Sequence, residues 1–224
     1  ITALVNSGAQ FMTSNADNFG MKFLAEAARQ NPLNSIEGGQ FRNGFFPNKT
    51  IVDMMNAKAD PRRPSYFVPF PYNSSPATYK GASALDNNSI AYSRLNTFLK
   101  GDATVNTVTV LPDGSITDAS ITWAGNSSTK LLNFAEYNFI RAEAALMGAP
   151  GDAQAFFEAG IRASLAESNV SAANANTYVA ANGTLTGTNA QKLEQIINEK
   201  FVANFGVVME PWTDWRRTGY PRIN

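Results

Sequence analysis

The sequence predicts a mainly α fold in which helical hairpins carry long loop excursions, and three observations predict it. Apolar residues recur at helical spacing from Leu131 to Met147, and again from Asn189 to Phe205. Only about four residues, around Gly148 and Pro150, separate the first of these stretches from a second periodic one that reaches Leu165, and so short a link forces an antiparallel helix pair. Proline-, asparagine- and glycine-rich stretches fill much of the rest, too long for a plain helical bundle. A chain of 224 residues can bury about 70% of its extended surface, enough for one full core or two small ones.

In order, residues 7–30 place Phe11, Phe19, Phe23, Leu24 and Ala27 at near-helical spacing, which predicts a helix ending at Asn31-Pro32, weakened by Gly20. A loop is expected from Asn31 to Pro47. Asn48 is a fitting N-cap for a short helix through Met55 that stops at Asp60-Pro61. Five prolines (61, 64, 69, 71, 76) then interleave with Tyr66, Phe67, Phe70, Tyr72 and Tyr79, which predicts extended loop. Val105 to Val110 alternates and ends at Pro112-Asp113-Gly114, a short edge strand or hairpin arm. The helix from Leu131 stops at Gly148, and Asp152 caps its partner, with Phe156, Phe157, Ile161 and Leu165 on one face. The pair spans 35 residues with small side chains where the helices approach, and so resembles a tetratricopeptide repeat. Residues 168–188 are expected to be a surface excursion. In the last helix Leu193, Ile196, Ile197, Lys200, Phe201 and Phe205 recur at i, i+3, i+4.

Composition excludes several chemistries. Eighteen basic residues balance eighteen acidic ones, so the basic excess that a nucleic-acid binder needs is absent. No histidine and no cysteine means no catalytic triad of the usual kinds, no zinc site of His or Cys, no thiolate nucleophile and no disulfide. No phosphate-cradling glycine spacing occurs, Gly38-Gly39 included, and no cofactor is expected. No run of about 18 apolar residues offers a membrane-spanning helix.

Three constellations remain. Glu136 and Glu143 lie seven apart, about 20° apart around a helix and about 10 Å along it, which invites a glycosidase reading. The plainer reading makes them a structural ion-pair network with Arg216 and Arg217, since a guanidinium fork bridges carboxylates well. Trp212 and Trp215 are read as indoles plugging the last helix against the hairpin rather than as a stacking platform. In the aromatic-proline loop, Phe67 and Phe70 are expected to turn inward. Tyr66, Tyr72 and Tyr79, with Trp123 from a polar stretch, are the candidates for a ligand-binding surface, because flat rings beside Asn and Ser suit sugars or peptide side chains. That reading of the tyrosines falls if they lie wholly inside and a wet cleft is lined instead by two facing acids.

Specific strings add to this. Asn133-Phe-Ala-Glu136-Tyr-Asn-Phe-Ile-Arg-Ala142-Glu143-Ala-Ala, Gly151-Asp-Ala, Gly160-Ile-Arg-Ala-Ser164, Glu199-Lys-Phe and Trp212-x-x-Trp215-Arg-Arg-Thr-Gly-Tyr-Pro221 occur in that order. They follow Lys49-Thr-Ile-Val-Asp-Met-Met and Asp60-Pro-Arg-Arg-Pro-Ser-Tyr. The ordered set resembles the SusD/RagB family, surface lipoproteins of Bacteroidota, over most of residues 11–222. The resemblance implies a SusD-like α-α superhelix of tetratricopeptide-like pairs, with loops forming a substrate face and no catalytic activity. It implies binding of glycan, or of peptide as in RagB-like members, at the outer membrane. Delivery would be to a SusC-like TonB-dependent transporter on which the protein sits as a lid. The family's signal peptide and lipid-bearing cysteine are not in this sequence, so a single SusD-like domain incomplete at both ends is expected, anchored only through a lipid outside this chain. Residues 1–130 would be its loop-rich, substrate-facing part and 131–224 its helical part. The competing readings are a tetratricopeptide-type scaffold for proteins and a glycan-cleaving enzyme using Glu136 and Glu143.

Overall fold

Two side chains set the phase of the helical hairpin. Asn133 accepts a hydrogen bond from the Glu136 amide at 2.6 Å, and Asp152 accepts one from the Gln154 amide at 2.9 Å, so both helices begin at a satisfied N-terminus. The computed structural model describes residues 2–38, 44–83, 85, 86, 91–207 and 209–223. In chain order the elements are α1 (Thr2–Asn6), a 3-10 turn (Asn15–Asp17), β1 (Phe19–Met21), α2 (Pro32–Gly38), α3 (Lys49–Ala57), α4 (Arg63–Tyr66), β2 (Phe67–Val68), β3 (Arg94–Leu95) and α5 (Thr97–Lys100). There follow β4 (Ala103–Val105), β5 (Ile121–Trp123), β6 (Thr129–Leu132), α6 (Phe134–Leu146), α7 (Ala153–Glu167), α8 (Ala172–Asn182), α9 (Asn189–Ala203) and α10 (Met209–Thr218). They gather into two compact units, residues 1–20 with 130–224, and residues 21–129.

The first unit is built on α6 and α7. Phe139 and Phe157 meet edge to face with ring centres 6.1 Å apart, and Ala142, Ile161 and Leu165 are buried beside them. Gly160 faces the Phe139 ring so closely that a Cβ there would lie 2.9 Å from it. α9 adds Ile196 and Ala203 to the same core. The N-terminal segment latches on by polar contacts: the Asn15 side chain donates to the Ala163 carbonyl at 3.0 Å, and Asn18 accepts from the Phe134 amide at 2.7 Å.

Three expectations for this unit fail on local chemistry. The helix over residues 7–30 does not form. Ser14 instead caps the 3-10 turn, with Asp17 closing the reciprocal bond, as expected where Ser, Asp and Asn side chains compete for the backbone. Residues 168–188 are not a loop excursion, because Ser171 caps α8 and Tyr178 and Val179 enter the core. Its alanines favour helix where the asparagines suggested loop. The 131–147 helix starts only at Phe134, since Thr129–Leu132 is strand.

The second unit wraps a core of its own around α3, whose Ile51, Val52 and Met55 are buried and whose N-cap is Asn48, as the sequence indicated. β2 pairs antiparallel with β3 (Phe67 opposite Leu95), and β4 with β5 (Val105 opposite Ile121). Val110 bridges Ile116, so the alternating segment serves as a hairpin arm. α2 replaces the loop expected from residue 31. Asn31 accepts from the Leu33 amide at 2.9 Å and Pro32 is the first helical residue, so the Asn-Pro pair read as a helix stop is a helix start. Residues 39–43 of that loop, Gly39 among them, lie outside the described residues.

The aromatic-proline segment is where expectation and structure part most. One helical turn, α4, holds Pro64 in its first turn, and the tyrosines on either side turn inward. Tyr66 has no exposed surface and packs against Phe98, ring centres 4.3 Å apart with the planes tilted by 38°. Tyr79 is also buried, near Phe67 (6.3 Å) and under the Arg63 guanidinium, and burial pushes its phenol above the ordinary tyrosine range. Arg62 and Asp60, both solvent-inaccessible, pair at 2.5 Å within this segment.

Gly160→Ala should destabilise the protein. The added methyl displaces a fully buried ring, a cost of about 1–3 kcal/mol. That outweighs the gain of up to about 1 kcal/mol in helix propensity. A thermal melt by circular dichroism checks this, with a fall in Tm expected.

Candidate functional site

Two cavities hold the chemistry. The first, a groove of about 440 Å³ in the first unit, runs between α6, α9 and α10. A chain of charges lines it. Lys200 sits between Glu136 (3.3 Å) and Asp214 (2.9 Å), Asp214 meets Arg217 at 2.6 Å, and Arg217 grips both carboxylate oxygens of Glu143. Burial raises the Glu136 carboxyl above the usual carboxylate range, with Lys200 opposing. The hydrogen bonds to Glu143 and Asp214 hold the Arg217 guanidinium charged. Ile140, Met147 and Met209 give the groove exposed apolar edges.

Glu136, Glu143 and Arg217, expected in one network, thus line one groove. Arg216 does not join them. It is exposed and forms no ion pair among the described residues, because adjacent helix positions point about 100° apart and only Arg217 shares a face with Asp214. Lys200 and Asp214, the two members the sequence reading missed, connect the others. Lys200 carried a signal, for it is the one charge in the apolar stripe of α9. The indole plug also fails for Trp212, which is 54% exposed and stacks on half-buried Trp215 at 5.2 Å.

The second cavity lies in the second unit and measures about 150 Å³. Trp123 on β5 forms one wall, with Thr122, Asn34, Arg94 and Asp118 around it. The indole is locked in place. Its Nε1–H donates to Asn96 Oδ1 at 2.9 Å, and the Lys100 ammonium stands 3.4 Å from the ring centre. Lys100 is itself buried against Glu37, and that burial lowers its pKa while Glu37 opposes the shift. The Asn34 side chain donates to the Trp123 carbonyl at 3.3 Å.

Of the four aromatic candidates, only Trp123 stands at this cavity. Tyr66 and Tyr79 lie in the core, so the expectation that they face solvent is overturned. The segment expected to be extended loop forms part of the core of its unit. Tyr72 is half-buried against Val68, Ile116 and Ile121, outside the lining of this cavity. Among the described residues no cluster of acidic side chains could hold a metal ion, and no helix is long and apolar enough to cross a membrane.

A helical hairpin with a charged groove, joined in one chain to a second unit that carries a polar cavity, is the class of protein these features define. The family model described as starch-binding and associating with the outer membrane matches residues 1–224, and the chain belongs to this SusD-like family. Among solved structures it is similar to a SusD homolog from Bacteroides fragilis (23% identity over 99% of this chain and 49% of that one, TM-score 0.76). It is similar also to a chitin-binding SusD homolog from Flavobacterium johnsoniae (25% identity, 100% and 46%, TM-score 0.74). A SusD homolog from Bacteroides uniformis matches at 25% identity, over 99% and 46%, with TM-score 0.70. The chain spans about half the length of these solved structures. No curated protein matches it.

Lys200→Met should cost about 3–5 kcal/mol near pH 7, because it strands buried Glu136. Without Lys200 the Glu136 carboxyl rises further. The folded state then holds its proton where the unfolded chain has released it, and stability falls as pH rises through that interval. The penalty relative to the parent is therefore full above the folded-state pKa of Glu136 and shrinks as the group protonates. Melts of both proteins from pH 4 to 8 measure it, with the Tm gap expected to narrow toward pH 4.

Proposed function

We propose that this protein is a non-catalytic glycan-binding component of the outer membrane that delivers its ligand to a SusC-like TonB-dependent transporter. In this reading it is a surface lipoprotein anchored through a lipid outside this chain. The observation that carries the reading is the locked indole of Trp123 at the wall of a polar cavity, the arrangement in which a flat ring packs against a sugar face while neighbouring amides and hydroxyls bond its hydroxyls. Membership of a family described as starch-binding supports it, as does likeness to a chitin-binding homolog. Peptide binding, as in RagB-like members, is the alternative within the same transport role. Calorimetry against malto- and chito-oligosaccharides and a peptide panel distinguishes them. Trp123→Ala should weaken saccharide binding about tenfold, or ~1.4 kcal/mol. Binding of peptides alone would replace glycan with peptide, and no binding to either, with no β-barrel partner co-purifying, would refute the proposal.

A second reading rests on one observation, that Glu136, with its raised pKa, and Glu143 line the same groove. A glycosidase needs one carboxyl free to attack or to activate water. Here Arg217 occupies both oxygens of Glu143, and Lys200 pairs with Glu136, which favours a structural role. Reducing-end assays on the same oligosaccharides should show no release. Release that disappears in Glu143→Gln at unchanged Tm would establish the enzyme instead.

A further inference from the structure

The cavity at Trp123 has a neighbour. A second hollow of about 250 Å³ in the same unit is walled by Phe46, Leu111, Ile116 and Thr117, and it shares two residues with the first, Arg94 and Asp118. These two form an ion pair at 3.1 Å. The pair therefore stands where two hollows adjoin, one walled by Trp123 and the other by Phe46.

The pair is under-committed. A guanidinium has five N–H donors. Among the described residues Arg94 makes one hydrogen bond, from Nη2 to Asp118, and its solvent-shielded Nε has no partner. Asp118 is a third exposed and uses one carboxylate oxygen in that bond. Donors and an acceptor thus remain where the two hollows meet. Deeper in, Glu37 is only 2% exposed, and its Oε1 also has no hydrogen-bond partner among the described residues. Formal charge, by contrast, is compensated: Glu37 by Lys100, and Asp118 by Arg94. An anionic ligand would face Glu37 and Asp118, and a cationic one Lys100 and Arg94, each at a desolvation cost with no free counter-charge to offset it.

We propose that these hollows are two adjoining subsites for a neutral, hydroxyl-rich oligosaccharide. One ring packs by Trp123, the next lies by Phe46, and the Arg94–Asp118 pair bonds hydroxyls of both. This rests on the glycan reading above and narrows it to uncharged chains of at least two units.

The test measures binding of the intact protein to chito- and malto-oligosaccharides of one to four units by calorimetry, with oligogalacturonate as the anionic probe. Affinity should rise at least tenfold from one unit to two in the series that binds. Phe46→Ala should abolish that step while leaving single-unit binding within twofold, and Trp123→Ala should weaken binding at every length. Asp118→Asn, close in size to the parent, should reduce the affinity for two units severalfold. Oligogalacturonate should not compete. Melting curves for each variant establish that it is folded, and a variant that fails this check is replaced by Phe46→Leu or Trp123→Phe, for which a partial loss of the same kind is expected. A flat length dependence, a step that survives Phe46→Ala, or preferred binding of oligogalacturonate would overturn the two-subsite proposal while glycan binding stands. No saccharide binding at all would overturn both.

Discussion

Buried charge is the constraint on which the rest of this molecule depends. Only 16% of the residues are charged, yet many of those are sealed from water, and an isolated ion in that position would cost several kcal/mol. Most of the buried ions are met by opposite ones, Asp60 by Arg62, Glu37 by Lys100, and Glu136 and Asp214 by Lys200, while buried Glu199 accepts a hydrogen bond from the Tyr178 hydroxyl at 2.8 Å. These pairs add little net stability against an apolar alternative, but they allow few arrangements. Lys200 fits only where α6 and α10 each bring a carboxylate to α9, and Glu37 fits only where α2 lies beside Lys100 at the end of α5. The pairs thus set the register of helices whose apolar faces, rich in alanine, discriminate weakly on their own.

The hairpin was legible in the sequence because its signals agree. Asp152 offers a cap, Gly148 and Pro150 a break, and Phe157, Ile161 and Leu165 a consistent stripe. The 61–79 segment was not legible, because proline reports local backbone and says nothing of whether a chain folds back on itself. Tyr66 is inside because Phe98 of α5, more than 25 residues away, packs on it, and Tyr79 because it lies near Phe67 and under Arg63. α8 was hidden by asparagines that favour loops in general but here sit on the outer face of an alanine helix. Asn31-Pro32 was ambiguous in principle, since the pair that ends one helix also begins another.

The candidate site divides along the same line. Trp123 was legible as an aromatic in polar surroundings, and it does stand at a cavity wall. Arg94, Asp118, Glu37 and Lys100 were not, because they come from four separate segments joined only by the fold. In the groove of the other unit, chain distance alone gave Glu136 and Glu143, whereas the middle of the charge chain needed Lys200 to be recognised as a cation inside an apolar stripe. Binding and cleavage make different demands on such groups. A carboxylate already gripped on both oxygens is a strut, while a guanidinium whose shielded Nε has no partner among the described residues is a hand held open.

The sequence contains three tryptophans, and the fold sorts them unevenly. Trp123 belongs to the second unit, under an ammonium and fixed at its ring nitrogen, while Trp212 and Trp215 stack on each other in the first. The molecule therefore carries a built-in optical label for each half. The lone indole lies beside a positive charge whereas Trp212 of the stacked couple is more than half exposed, so a Trp212→Phe, Trp215→Phe background would leave a single tryptophan at the proposed sugar wall.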